Sequence, residues 1–309
     1  MSPALRLRGL TVRYRHGWLG RPSAIPAVDA VDLELAPGER VGLVGESGSG
    51  KTSLARAALG LLPIDGGTVE VLGHDWASLD PSARRALRRR AQLLLQSADA
   101  ALNPGLTVRQ ILSGSARLHR PEEAAGPLVE ETLHALGLEG RADALPRTLS
   151  GGEKRRVALG CVRIADPDLL IADEPTAGLD AARQAELLDR LVWMGNQNKT
   201  VLLISHDLAA VAYAVERVLV MLGGRIVEAL PVRALSRGPH HPYTWALLLA
   251  ARAADALAGD DPAPLAPSPG CPWRLGCASA SARCAAERPP LETVAPDHQI
   301  ACFHPGPAA

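Results

Sequence analysis

The stretch Gly45-Glu46-Ser47-Gly48-Ser49-Gly50-Lys51-Thr52 narrows most sharply what this chain can fold into. A short apolar run, Arg40-Val41-Gly42-Leu43-Val44, leads into it, and the residues from Lys51 to Leu62 read as a helix ended by Pro63. Strand, glycine-rich loop and helix in that order make a phosphate-binding loop. Its glycines let backbone N–H groups close around phosphate oxygens, and the helix behind points its positive end at them. Lys51 is a compact charge able to reach β- and γ-phosphates, and the Thr52 hydroxyl can ligate Mg²⁺. The rival reading is a chance glycine loop, and a match at all eight positions with the right flanks argues against it.

Two further motifs gain meaning from that loop. Leu169-Leu170-Ile171-Ala172-Asp173-Glu174 is an apolar strand ending in two acids. Asp173 can hold Mg²⁺ or its water, and Glu174 can polarise an attacking water. Alone, the pair could merely cap the next element; downstream of a phosphate loop the chemical reading is stronger. Leu149-Ser150-Gly151-Gly152-Glu153 opens a helix running through Val157 and Leu159, and a Ser-Gly-Gly turn there is a ready anion site. Its position 23 residues before Asp173 gives it weight beyond that of an ordinary helix start.

The rest of the chain divides by pattern. Leu5 to Tyr14 and Val31 to Leu35 alternate as half-buried strands, and Thr68 to Leu72 follows Gly66-Gly67 as another. Ser82 to Arg90 is helical and basic, and Ala91 to Leu95 is strand-like up to Gln96. From about 97 to 165 the pattern is helical, with a capping-box start at Thr107-Val108-Arg109-Gln110 and apolar helical spacing over Leu128 to Leu138. Strand signals return at Leu169 to Ala172, Val201 to Ile204 and Arg217 to Leu222, and Gly223-Gly224 marks a hairpin. After about Arg237 the sequence turns rich in Pro, Gly, Ala and Cys with little periodicity. These shifts divide the chain into 1–236 and 237–309.

Composition removes several classes. Of 309 residues, Lys and Arg total 33 and Asp and Glu total 33, so no global basic field holds nucleic acid. The arginine run Arg84, Arg85, Arg88, Arg89, Arg90 has no interleaved aromatics and reads as a solvated helix face. No run reaches the ~18 apolar residues a membrane span needs; the richest, Trp245 to Leu257, is broken by Arg252 and Asp255. Nor does an apolar signal segment follow Met1 to Arg6, so a soluble, cytoplasmic chain is expected. Four of the five cysteines, Cys271, Cys277, Cys284 and Cys302, fall in the last 39 residues, which in such a chain reads as a metal or cluster site before disulfides. Cys161 stands apart and reads as core.

On Gly45 to Thr52, the Ser150-Gly151-Gly152 signature and Asp173-Glu174, residues 5 to 230 resemble the ATP-binding subunit of an ABC transporter. The resemblance implies a P-loop α/β core with an antiparallel β part, a helical subdomain over 97–165, and ATP with Mg²⁺ as ligands. It places Gln96 as the Q-loop residue, sharing Mg²⁺ with Thr52 and Asp173. It makes Gly178-Leu179-Asp180 the D-loop and His206, after the strand Val201 to Ile204, a catalytic partner of Glu174, Gln96 and Lys51. Tyr14 would stack on adenine, and Gly45, Ser47, Gly48, Gly50, Lys51, Thr52 and Ser53 would cradle the phosphates. Ser150 and Gly152 would contact a γ-phosphate held by a partner's loop, and Asp180 is counted among the nucleotide-binding residues. One departure is Glu153, where the family usually has Gln. Bland readings exist for Gln96 as a surface polar residue, His206 as a helix cap and Tyr14 as strand packing; order and spacing favour the functional ones for the first two.

The tail narrows the resemblance. His241-Pro242-Tyr243-Thr244, Gly270-Cys271-Pro272, Ala301-Cys302 and Asn103-Pro104 are similar to oligopeptide, dipeptide and nickel permease ATPases. That subfamily implies a [4Fe–4S] cluster on Cys271, Cys277, Cys284 and Cys302, with zinc as the alternative and plain reduced thiols as the bland reading. It further implies an importer of peptides, metal chelates such as nickel, or related small solutes. Expected partners are a second, related ATPase chain, two transmembrane permease subunits and an extracytoplasmic solute-binding protein, with this chain peripheral on the cytoplasmic face. The rivals are a non-transport ABC ATPase acting on nucleic acid or ribosomes, and a metal-sensing regulatory ATPase. The first usually carries long coiled-coil insertions or two cassettes in one chain, and the second leaves Glu174 without a purpose.

Overall fold

The computed structural model describes residues 2–16, 21–22, 25–95, 102–177, 179–237, 241–253 and 269–306. The N-terminal strands are β1 (Leu5–Val12), β2 (Arg15–His16), β3 (Arg21–Pro22), β4 (Val28–Leu35) and β5 (Arg40–Val44). They are followed by β6 (Gly66–Val71), β7 (His74–Asp75), β8 (Ala91–Leu94), β9 (Leu169–Asp173), β10 (Thr200–Ser205), β11 (Arg217–Leu222), β12 (Arg225–Pro231), β13 (Glu292–Ala295) and β14 (His298–Ile300). One antiparallel sheet runs β4-β1-β6-β7, and a large sheet runs β13-β14-β12-β11-β5-β10-β9-β8. In the large sheet β8, β9, β10, β5 and β11 are all parallel, so their C-terminal ends share one edge.

The central strands are buried on both faces, as their unbroken apolar runs require. Leu169, Ile171, Leu202, Ile204, Leu219 and Met221 point into a core shared with β1, β4 and the helix Lys51–Ala58. Leu170, Ala172, Val201, Leu203, Val218 and Val220 point the other way, into a core shared with the helical region. That region holds the helices Val108–His119, Ala125–Ala135 and Gly151–Ala165, packed on one another. Thr107 starts the first with the expected capping box. The helix after the phosphate loop ends at Ala58 rather than Leu62, because Gly60 turns the chain with φ +62° and lies against the Trp76 indole.

Among the described residues, those after 237 form no separate core: Tyr243, Cys271, Trp273, Cys284 and Ala301 belong to the same core as the helical region. Strand β14 pairs antiparallel with β12 and covers that edge of the main sheet. Past the 12-residue helix Pro242–Ala253, the helix Ala282–Ala286 and strands β13 and β14 span only five, four and three residues, too few to show a period. The arginine helix, Pro81–Arg90, is solvated as expected: Arg85, Arg88, Arg89 and Arg90 are exposed, and Leu87 is its buried residue. Cys161 packs against the core, and burial pushes its thiol up to about 11.

Candidate active site

Three neighbouring parallel strands, β9, β10 and β5, deliver the chemistry-bearing residues to one edge, the usual position for ligands in open α/β sheets. The phosphate loop leaves β5 through Gly45, whose φ of +151° sets its α-carbon so close to the Met221 carbonyl that a Cβ would sit 2.1 Å from that oxygen. Gly50 has φ +107° and meets the Ala27 carbonyl in the same way. Only glycine fits either place. Ser49 is buried behind the loop, and the Lys51–Ala58 helix begins directly from it.

Lys51 is buried and folds back onto its own loop. Its Nζ donates to the Gly45 carbonyl at 2.7 Å, the Glu46 carbonyl at 2.8 Å and Ser49 Oγ at 3.4 Å. Burial lowers its pKa, opposed by the charges of Glu174, Asp173 and Glu46. A buried ammonium satisfied only by neutral oxygens is poised to trade them for an anion.

Asp173 ends β9 with only 1% of its surface exposed. Burial raises its pKa, and the neighbouring Glu174 charge adds to the rise, while a hydrogen bond from the Thr52 hydroxyl opposes it. Its Oδ1 is buried without any hydrogen-bond partner. An orphaned carboxylate oxygen beside a hydroxyl and a phosphate loop fits a hard divalent cation with oxygen ligands. Thr52 and Asp173 are therefore suited to hold Mg²⁺.

Glu174 adopts φ +49°, rare for a residue with a side chain, and its N–H donates to the Ile204 carbonyl at the end of β10 at 2.9 Å. Its Oε1 receives the His206 backbone N–H at 3.0 Å and lies 2.9 Å from His206 Nδ1. Ser205 Oγ donates to Oε2 at 3.4 Å. The carboxylate is thus clamped from β10 while His206 remains largely open to solvent. The Tyr14 hydroxyl lies 2.9 Å from Ser53 Oγ, with the ring 43% exposed, tying that aromatic to the phosphate-loop helix. Ser205 went unnoticed in the sequence, where nothing but its place before His206 sets it apart.

The remaining expected residues lie elsewhere. Ser150 caps the helix Gly151–Ala165 in a capping box with Glu153, and Gly152 stays exposed enough that a Cβ there would find only Arg183, at 3.5 Å. Glu153 is not a loose charge: it accepts the Ser150 N–H at 2.7 Å and pairs with Arg141 at 2.8 Å. The Ser150 amide, then its hydroxyl and Arg141, hold its carboxyl down at about 2. Asp180 caps the helix Ala181–Asn196 and pairs with Arg183 at 3.3 Å. Gln96 and Gly178 lie outside the described residues.

The four tail cysteines are all free thiols, and all four line one narrow void with His241, Trp273 and His304. Burial, opposed by a hydrogen bond from the His304 amide and helped by the charges of Cys271, Cys277 and Cys284, pushes Cys302 up to about 11. Among the described residues no three His, Cys, Asp or Glu side chains converge tightly enough to hold a single metal ion. Among the same residues no helix is long and apolar enough to cross a membrane.

Comparison with known proteins agrees with this geometry. Residues 28–177 match the ABC transporter family, and residues 227–284 match the oligopeptide/dipeptide transporter C-terminal region. A Brucella ovis protein provisionally named a peptide import ATP-binding protein is 35% identical over 98% of both chains. An oligopeptide transport ATP-binding protein of Mycobacterium tuberculosis is 38% identical over 98% of this chain and 52% of its own length. The ATP-binding cassette MJ0796, solved as a dimer in a post-hydrolysis state with ADP and Pi, superimposes with a TM-score of 0.67 at 25% identity, covering 74% of this chain and 99% of that one. The chain belongs to the ATP-binding subunits of oligopeptide/dipeptide-type ABC transporters.

Proposed function

We propose that this chain hydrolyses ATP to drive a membrane importer of peptides, with the phosphate-loop edge of the main sheet as its catalytic site. The observation that carries this reading is the orphaned Asp173 Oδ1, buried beside the Thr52 hydroxyl and flanked by Lys51 and a clamped Glu174. The relatives named for peptide import and oligopeptide transport supply the cargo class. Nickel chelates, the other cargo implied by the sequence, find no counterpart in those names. The non-transport rival loses ground for the same reason.

The loop amides of Ser47, Gly48 and Gly50 and the Ser53 hydroxyl cradle phosphate oxygens, and Lys51 moves from the Gly45 and Glu46 carbonyls onto the β- and γ-phosphates. Thr52 and Asp173, with Gln96 as the family resemblance implies, would hold Mg²⁺, which would supply positive charge against that developing on the phosphates. Glu174 accepts a proton from the attacking water, and His206 holds its carboxylate in place through the shared Oε1. Tyr14 stacks on adenine. Ser150, Gly152 and Asp180 serve an ATP bound by a second, related ATPase chain. That role accounts for a helix N-terminus left exposed at Ser150 and Gly151. Two permease subunits and a solute-binding protein complete the assembly, and the chain sits peripherally on the cytoplasmic face as residues 1–236 plus the extension 237–309.

A second reading concerns the extension. Four unpaired thiols around one void support a [4Fe–4S] cluster, which takes one thiolate on each of four irons. Zinc would need the same sulfurs converged on one ion at Zn–S distances of about 2.3 Å, which they are not. The void must widen to admit the cluster. A bound centre would supply positive charge that lets the buried thiols ionise. The main reading is tested by MgATP binding and hydrolysis in the assembled transporter carrying Glu174→Gln, where binding should survive and hydrolysis should be lost.

A further inference from the structure

Tyr243 is the largest side chain buried without any exposed surface, and no step above uses it. Its hydroxyl oxygen accepts the backbone N–H of Glu46, the second residue of the phosphate loop, at 2.8 Å across 197 residues of sequence. The Glu46 backbone is thereby held at both its N–H and its carbonyl. Its N–H goes to the extension, and its carbonyl takes Lys51 Nζ at 2.8 Å and the Ser49 N–H at 3.2 Å. The neighbouring Gly45 is pressed against the Met221 carbonyl. When Lys51 leaves for a phosphate, its bond to the Glu46 carbonyl goes with it, and the Tyr243 and Ser49 bonds stay.

The Tyr243 ring is itself fixed by the cysteine lobe. The Trp273 ring lies 5.0 Å from it at 57°, and Trp273 lines the same void as the four cysteines. Cys271, two residues before Trp273, donates its N–H to the Cys284 carbonyl at 2.7 Å. The His241 Nδ1 accepts the Tyr243 N–H at 3.1 Å, locking the start of the helix Pro242–Ala253. Burial raises the Tyr243 pKa, so the phenol stays neutral.

We infer that Tyr243 is a positioning residue through which the C-terminal extension holds the phosphate loop in its nucleotide-binding shape. The inference rests on the ATP reading above. A loop that visits other shapes binds in proportion to the fraction of time it is competent, and a buried amide left without its acceptor favours those other shapes.

The test is MgATP binding by the full-length chain, together with steady-state kinetics of the assembled transporter, for wild type, Tyr243→Phe and Trp273→Leu. Phenylalanine keeps the ring and removes only the acceptor. Tyr243→Phe should weaken MgATP binding and raise KM by about tenfold, with kcat at saturating MgATP within about twofold, and amide exchange should accelerate in the 41–54 segment. Trp273→Leu should move KM in the same direction by loosening the ring. Binding by Tyr243→Phe within twofold of wild type, with unchanged exchange in that segment, overturns the inference while leaving the ATP reading intact. An equal loss of kcat and affinity also overturns it, since that is the mark of general damage. A wild-type chain that does not bind MgATP brings down the ATP reading itself.

Discussion

One oxygen of Glu174, Oε1, receives two contacts from His206: the backbone N–H at 3.0 Å and the ring Nδ1 at 2.9 Å. Glu174 follows β9 and His206 follows β10, so the pair fixes the relation between the tips of the two strands at the catalytic edge. Loss of the imidazole leaves the backbone bond in place. His206→Ala should therefore lower kcat by about 10- to 100-fold with little change in MgATP affinity. Steady-state kinetics and equilibrium binding on the same preparation separate the two effects.

Lys51→Ala should behave in the opposite way. It removes the charge that Asp173, Glu174 and Glu46 face, and with it a charge-assisted bond to phosphate. MgATP binding should weaken by at least about tenfold, measured by titration of the purified chain; unchanged affinity would dissociate Gly45 to Thr52 from the nucleotide.

Glu153→Gln tests whether the departure from the family's usual residue matters. Its charge is already spent on the Ser150 cap and on Arg141, so KM for MgATP should shift less than about twofold. The stability effect should depend on pH. The folded-state pKa of Glu153 is depressed from 4.5 to about 2, so its contribution is full above about pH 4.5 and is lost as pH falls towards 2. The melting-temperature margin of wild type over Glu153→Gln should narrow in that direction; a margin that grows on acidification would contradict the assignment.

The cysteine lobe gives a spectroscopic prediction. Chain purified without oxygen should be brown, absorbing near 400 nm, with about four irons per chain. Cys277→Ser should bleach it while MgATP still binds. Colourless chain with one zinc would replace the cluster by a zinc site, and metal-free chain with an ordered lobe would remove both.

Much of the catalytic edge was legible because its residues are contiguous in sequence or sit at strand ends. Gly45 to Thr52 and Asp173-Glu174 each carry their own context, and the two-faced burial of β9 and β10 follows from runs such as Leu169-Leu170-Ile171-Ala172. The tail was opaque for the converse reason. Past the helix Pro242–Ala253 its elements are too short to show a period, and they fold by joining the core of β12 and the helical region. Tyr243 stood in the His-Pro-Tyr-Thr motif with no sign that its partner is an amide 197 residues away. The Glu153 pairing with Arg141 is likewise a product of tertiary packing.

The most direct measurement places Glu174→Gln in the assembled transporter and follows MgATP binding and hydrolysis side by side. The amide keeps the size of the side chain and can still bond to His206, but it cannot take a proton from water. The account predicts that MgATP binds with wild-type affinity while hydrolysis at this chain's site falls by about 100-fold or more. Hydrolysis near the wild-type rate would contradict it.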